Sequence, residues 1–128
     1  MPSYSMSTRD KTILKKILKY CEEASYAHQY FHEDKAFFYN EKEGHVYRSS
    51  VAMDIFQIGE LAKSLTPETR RAYPDIPWGG IIKMREIFAH HYGDLNYDNL
   101  WDTLVNDIPV LSKLVEKILE GQNGDSQD

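Results

Sequence analysis

Apolar residues recur at three- and four-residue steps along most of this chain, and Gly or Pro separates one such stretch from the next. That period puts apolar side chains on one face of an α-helix, whereas a half-buried strand would alternate every second residue. In "STRDKTILKKILKYCEEASYAHQYF", Ile13, Ile17, Tyr20, Ala24, Ala27 and Phe31 form one stripe. Ser7 or Thr8 can cap this helix, Asp10 suits its positive end, and Lys11, Lys15 and Lys19 form a separate solvated row. "HEDKAFFYNEKEGH" reads as a short helix and a turn broken at Gly44. In "VYRSSVAMDIFQIGELAKSL" the stripe is Val51, Ile55, Ile58, Ala62 and Leu65. Gly59 inside it costs about 1 kcal/mol against Ala, so close contact with another helix is the reason to keep it.

Punctuation sets the remaining elements. "TPE" starts a short helix, with Thr66 as cap and Pro67 at the first helical position. "YPDIP" ends it, and Pro77 opens "PWGGIIKMREIFAHHYG", which Gly93 closes. A final helix runs from Tyr97 to Glu120, with Asn96 as cap and Gly121 as stop, and Pro109 is expected to kink it or split it into two pieces. There is no strand pattern, repeat or linker. The expectation is an all-α, up-and-down helical bundle with short additional helices: one domain over residues 1–120 and a polar, disordered tail over 121–128.

Composition narrows the function classes. A net charge of -5 argues against a broad electrostatic grip on long nucleic acid, though not against a small, locally basic site. One cysteine, Cys21, excludes an intramolecular disulfide and suits a reducing cytoplasm. No apolar run reaches the length of a signal peptide or a membrane span, so no membrane association is expected.

The stretch "MREIFAHHYGD" concentrates the reactive side chains. On an ideal wheel Ile81, Met84, Phe88 and Tyr92 fall within about 80° of one another and form an inward stripe. Arg85 falls between Ile81 and Ala89, among apolar neighbours. A guanidinium there needs a carboxylate, a subunit interface or an anionic ligand. Lys83, Glu86 and His90 lie on the polar side and His91 at its edge, so Arg85 and His90 are about 140° apart. Joint action would need the long arginine to swing, the helix end to unwind, or a second copy to face the first. Arginine fits a phosphate and histidine can move a proton near neutrality, a pairing that suits metal-independent cleavage of RNA. An Arg and a His at this spacing also occur by chance in many helices.

These segments resemble the HepT-like family of HEPN-domain proteins, the toxin half of HepT–MntA toxin–antitoxin systems. The likeness runs from about Asp10 to Leu119 and is carried by "IFQIGELAKSL", "YPDIPWGGIIKMR" and "REIFAHHY" followed by "LWDTLVNDIPVL". The family motif is Arg, four to six residues, then His, followed in this subgroup by one residue and Tyr; here it is Arg85, His90 and Tyr92. The resemblance implies a bundle that forms a homodimer with both motifs in one cleft. It implies a metal-independent endoribonuclease with Arg85 and His90 as catalytic residues and RNA as substrate. It also implies an MntA-like minimal nucleotidyltransferase partner that attaches AMP to Tyr92. The residue after the motif arginine is usually small and polar, often asparagine; here Glu86 could repel a phosphate or orient a histidine.

Several residues keep two readings. Glu60 is either a surface charge or a buried partner of Arg85 across a helix pair, and His91 is the reserve for His90. His28 and His32 have metal-compatible spacing, but without a second ligand pair they read as two partly exposed histidines, and no metal or cofactor is expected. Trp78 and Trp101 read as core or interface anchors, and Lys15, Lys16 and Lys19 as a solvated face. The alternative to a nuclease is a non-catalytic binding module, or a nucleotide-binding partner of a minimal nucleotidyltransferase.

Overall fold

The computed structural model describes residues 4–90 and 96–127, with side chains described over 4–86 and 96–122. Those residues are all-α. The order is α1 (Thr8–Tyr30), α2 (Lys35–Tyr39), α3 (His45–Ser64), α4 (Pro67–Ala72), α5 (Trp78–His90), α6 (Tyr97–Asp102), a π-helical segment (Thr103–Asp107) and α7 (Ile108–Gln127). Local chemistry starts the helices where the sequence says it should. Ser7, not Thr8, caps α1 by accepting from the Asp10 amide at 3.1 Å. Thr66 caps α4 through the Thr69 amide, and Asn96 caps α6 through the amides of Asp98 and Asn99.

Four long helices build the bundle. α3 packs along α1 on one side and α5 on another, and α1 also packs along α7. α1 is therefore covered on two faces, and its buried arc is wider than one stripe: Leu14 and Cys21 are as buried as Ile17 and Ala24. Full burial of Leu14 or Ile17 stabilises the fold by roughly 1.5–3 kcal/mol each. Facing them are Tyr47, Val51, Ile55, Ile58 and Ala62 of α3, with Leu104, Leu111 and Val115 closing the far side.

Two polar devices fix the short elements. Asp10 is fully buried and accepts from the hydroxyls of Thr66 and Thr69, each at 2.6 Å, joining the start of α1 to the start of α4. Arg48, 7% exposed, donates to the carbonyls of Phe38, Asn40 and Glu41 and lies 4.2 Å from the Tyr97 ring centroid. Gly44 makes room for it, since a Cβ there would stand 2.6 Å from its Nη1.

Three features depart from the sequence reading. The turn after α1 places His32 and Glu33 in the left-handed region, at φ 60° and 54°. In return the amides of His32 and Glu33 satisfy the last carbonyls of α1 at Gln29 and His28. Pro109 does not split the last helix. The preceding turn widens instead, with the Ile108 amide bonded to the Thr103 carbonyl five residues back, which eases the clash a proline ring makes with a regular turn. Gly121 does not end the helix either, because α7 runs to Gln127. Gln122 is buried, accepts from the Met6 amide at 3.2 Å and donates to the Tyr4 carbonyl at 2.7 Å. The folded unit thus extends past residue 120.

Candidate functional site

α3 and α5 approach each other closely where they cross at Gly59. A Cβ built on Gly59 would stand 2.3 Å from the Arg85 Cβ and 3.0 Å from the Ile81 carbonyl oxygen. Only a residue without a side chain permits this approach, so Gly59 decides how near the two helices come. The neighbouring residue supplies the charge. Glu60 Oε1 accepts a short hydrogen bond from Arg85 Nε. Of the two sequence readings of Glu60, the structure shows the partner of Arg85, but half-exposed rather than buried. The arginine side chain is 19% exposed and the glutamate 39%.

The geometry leaves the guanidinium partly available. Nε is the atom engaged by Glu60, so the terminal Nη1 and Nη2 groups carry no ion pair among the described residues. A fork of this kind can bind one phosphate while its root is held by a carboxylate. Glu86 is exposed on α5, next to Arg85 in sequence. His90 is the last residue of the α5 backbone, five residues after Arg85, and its side chain lies outside the described region. His91, Tyr92 and Gly93 lie wholly outside the described residues. The structure therefore joins Gly59, Glu60 and Arg85 and places His90 on the same helix.

Beside this crossing runs an apolar groove of about 370 Å³. α3 contributes Ile55 and Ile58, α5 contributes Ile81 and Met84, and the π-helical segment and α7 contribute Thr103, Asp107 and Leu111. α5 and α7 face each other across it. Val110, which lines it, is 53% exposed. Asp107 was missed by the sequence reading. Partial burial, and then the charge of Asp102, push its carboxyl above the usual range. Pro109 was the available signal, since it marks a disturbed turn, but it does not say which side chains that turn rotates into the groove.

The other candidates belong to the fold. His28 Nδ1 hydrogen-bonds the Tyr47 hydroxyl, and its Nε2 lies 3.3 Å from Glu33 Oε1. Burial lowers its pKa, against the pull of Glu33. His32 lies past the end of α1, in the left-handed turn, so it is not on the same helix as His28. Among the described residues no group of three or more His, Cys, Asp or Glu could hold a metal. Trp101 packs 5.0 Å from Phe38 and 5.4 Å from His28, and Trp78 is buried with its indole N–H on the Tyr73 carbonyl. Lys15, Lys16 and Lys19 are exposed. Among the described residues no helix is long and apolar enough to cross a membrane.

Comparison with known proteins gives a consistent result. A family model described as "Ribonuclease HepT-like" matches residues 12–118. "Putative RNase MJ0127" of Methanocaldococcus jannaschii is 31% identical over 81 residues, which is 63% of this chain and 67% of that protein. "Putative RNase TTE0752" of Caldanaerobacter subterraneus subsp. tengcongensis is 40% identical over 63 residues, 49% of this chain and 56% of that protein. "Probable ribonuclease HepT" of Thermococcus cleftensis is 36% identical over 61 residues, 48% of this chain and 56% of that protein. The chain thus spans little more than half the length of the latter two. No solved structure matches significantly.

Proposed function

Because the chain belongs to the HepT-like ribonuclease family, we propose that it is a metal-independent endoribonuclease, the toxin of a toxin–antitoxin pair, with Arg85 and His90 as its catalytic residues. The observation that carries this reading is the α3–α5 crossing. Gly59 brings the helices together and Glu60 holds Arg85 by Nε, which presents the guanidinium fork five residues before His90.

The chemistry follows from those groups. The 2'-hydroxyl of a ribose loses its proton to a base and attacks the adjacent phosphorus. The P–O5' bond breaks, the 5'-oxygen takes a proton, and a 2',3'-cyclic phosphate remains. Arg85 stabilises the charge that gathers on the phosphate oxygens, and a histidine moves the proton. His90 fills that role, with His91 in reserve. The open groove between α5 and α7 supports a homodimer, because a second copy would cover it and face one motif with the other. Tyr92, two residues after His90, is the acceptor of AMP from an MntA-like minimal nucleotidyltransferase. The added phosphate would compete for Arg85.

A second reading has one observation in its favour. Glu86 is exposed on the arginine's own helix, and Glu60 already occupies Nε, so two carboxylates stand near where an RNA phosphate would bind. That arrangement suits a non-catalytic binding module. Incubating RNA with the pure protein in EDTA separates the two. New 2',3'-cyclic phosphate ends support the nuclease; intact RNA supports the binding module.

A further inference from the structure

A buried N–H donor normally has a partner, because without one it loses its water and gains nothing in return. Arg70 of α4 departs from that rule. Its Nε is buried and has no hydrogen-bond partner, and no other buried side-chain nitrogen or oxygen among the described residues is left so. The residue as a whole is half-buried and, among the described residues, stands in no ion pair. Its two Nη groups are unpaired as well, but they are not buried. The root of the guanidinium is thus packed into the fold while the fork reaches the surface.

The carboxylates of this part of the chain do not fill the gap. Asp10 is taken by the hydroxyls of Thr66 and Thr69. Glu68 lies 3.7 Å from Arg71, Glu60 holds Arg85, and Asp75 is in no ion pair among the described residues. Glu60 and Lys63 are three residues apart on α3 and share a face. Lys63, exposed and in no ion pair among the described residues, therefore stands one turn from the carboxylate that holds Arg85. α3 ends at Ser64 and Thr66 caps α4. Little more than one turn of each helix and a short connection separate Glu60 from Arg70, which keeps their Cα atoms within about 20 Å. Lys63 and Arg70 are two uncompensated cations within reach of the α3–α5 crossing, in a chain whose net charge is -5. A free guanidinium fork fits a phosphate through two parallel N–H bonds, and a stem already packed loses little freedom when it binds.

We propose that Arg70, assisted by Lys63, is a second phosphate-binding position, which grips the RNA backbone a few nucleotides from the linkage held at Arg85. The choice of RNA as the source of the phosphate rests on the ribonuclease reading; the free fork itself does not.

The test uses the full chain in EDTA and a short, fluorescein-labelled 2'-O-methyl oligoribonucleotide, which carries the phosphates of RNA but has no 2'-hydroxyl to attack. Binding is followed by fluorescence anisotropy over a series of salt concentrations. Arg70→Met should weaken it about tenfold, as loss of a charge-assisted bond does. It should also lower the slope of log affinity against log salt by about 0.7, the share of one phosphate contact on a single strand. Arg71→Met, which removes an arginine already paired with Glu68, should leave both nearly unchanged. Methionine keeps an apolar stem and removes the unpaired Nε, so Arg70→Met should melt no lower than the wild type. The proposal is overturned if the wild type does not bind the oligonucleotide, if Arg70→Met binds with wild-type affinity and slope, or if Arg71→Met weakens binding as much. It is equally overturned if Arg70→Met melts lower, since the arginine would then be structural, or sediments at a lower mass, since the fork would then meet a carboxylate of a second copy. Cleavage of unmodified RNA judges the ribonuclease reading separately. Binding through Arg70 with RNA left intact keeps the phosphate site and removes the nuclease; cleavage with unchanged binding in Arg70→Met does the reverse.

Discussion

Gly59 lies directly under the root of the Arg85 side chain, so close that a methyl group on the glycine would stand 2.3 Å from the arginine Cβ. The spacing of α3 and α5 and the position of the guanidinium are therefore one structural fact. Gly59→Ala would gain up to about 1 kcal/mol of helix propensity. It would also force overpacking that costs about 1–3 kcal/mol. A net loss of stability in urea denaturation is expected, together with reduced RNA cleavage as Arg85 is pushed aside. A Gly59→Ala protein more stable than the wild type and fully active would show that the close approach is not required.

Asp54 sets a pH dependence of unusual sign. Its folded pKa is raised from 3.8 to about 7, so between those values the folded state holds a proton that the unfolded state has lost. The stability it contributes is present below 3.8 and is lost as pH rises through about 7. Asp54→Asn should flatten that decline and should be more stable than the wild type above pH 7. Thermal melts from pH 4 to pH 8 measure it, and parallel curves for the two proteins would refute the raised Asp54 carboxyl.

The groove between α5 and α7 should be the homodimer seam. Val110 lines it and is 53% exposed, so a charge there costs the monomer little but is costly inside an interface. Val110→Glu is expected to halve the sedimenting mass with helical content unchanged. A wild-type protein that sediments as a monomer at micromolar concentration would remove the seam altogether.

Tyr92 should be the control point. With the partner nucleotidyltransferase and ATP, the wild type should gain AMP on the peptide that holds Tyr92 and lose its cleavage activity. Tyr92→Phe should cleave RNA and escape neutralisation. AMP mapped to Tyr97 instead would contradict this assignment.

Local signals carried the sequence reading furthest. Ser7, Thr66 and Asn96 act within three residues of themselves, so their caps were legible. The helical wheel placed Arg85 among apolar neighbours, and Gly59 marked a close contact, but neither named the other as its partner. Which carboxylate Arg85 would meet depended on the crossing itself, so Glu60 stayed between two readings until the fold resolved it. The course of α7 past Gly121 was illegible for the same reason: it rests on Gln122 bonding Met6, 116 residues away. The left-handed pair His32 and Glu33 gave no sign either, since neither residue type signals that turn. The positions of the His90, His91 and Tyr92 side chains lie outside the described residues.

The central claim is that Arg85 and His90 together cleave RNA without a metal. Single-turnover cleavage of a labelled RNA in EDTA, by the wild type, Arg85→Ala and His90→Ala, tests it most directly. The account predicts 2',3'-cyclic phosphate products from the wild type. It also predicts a loss of at least ~100-fold in each variant, the scale for removing an electrostatic or acid–base group, with circular dichroism unchanged for His90→Ala. Wild-type rates in either variant, or a wild type that leaves the RNA intact, would contradict it.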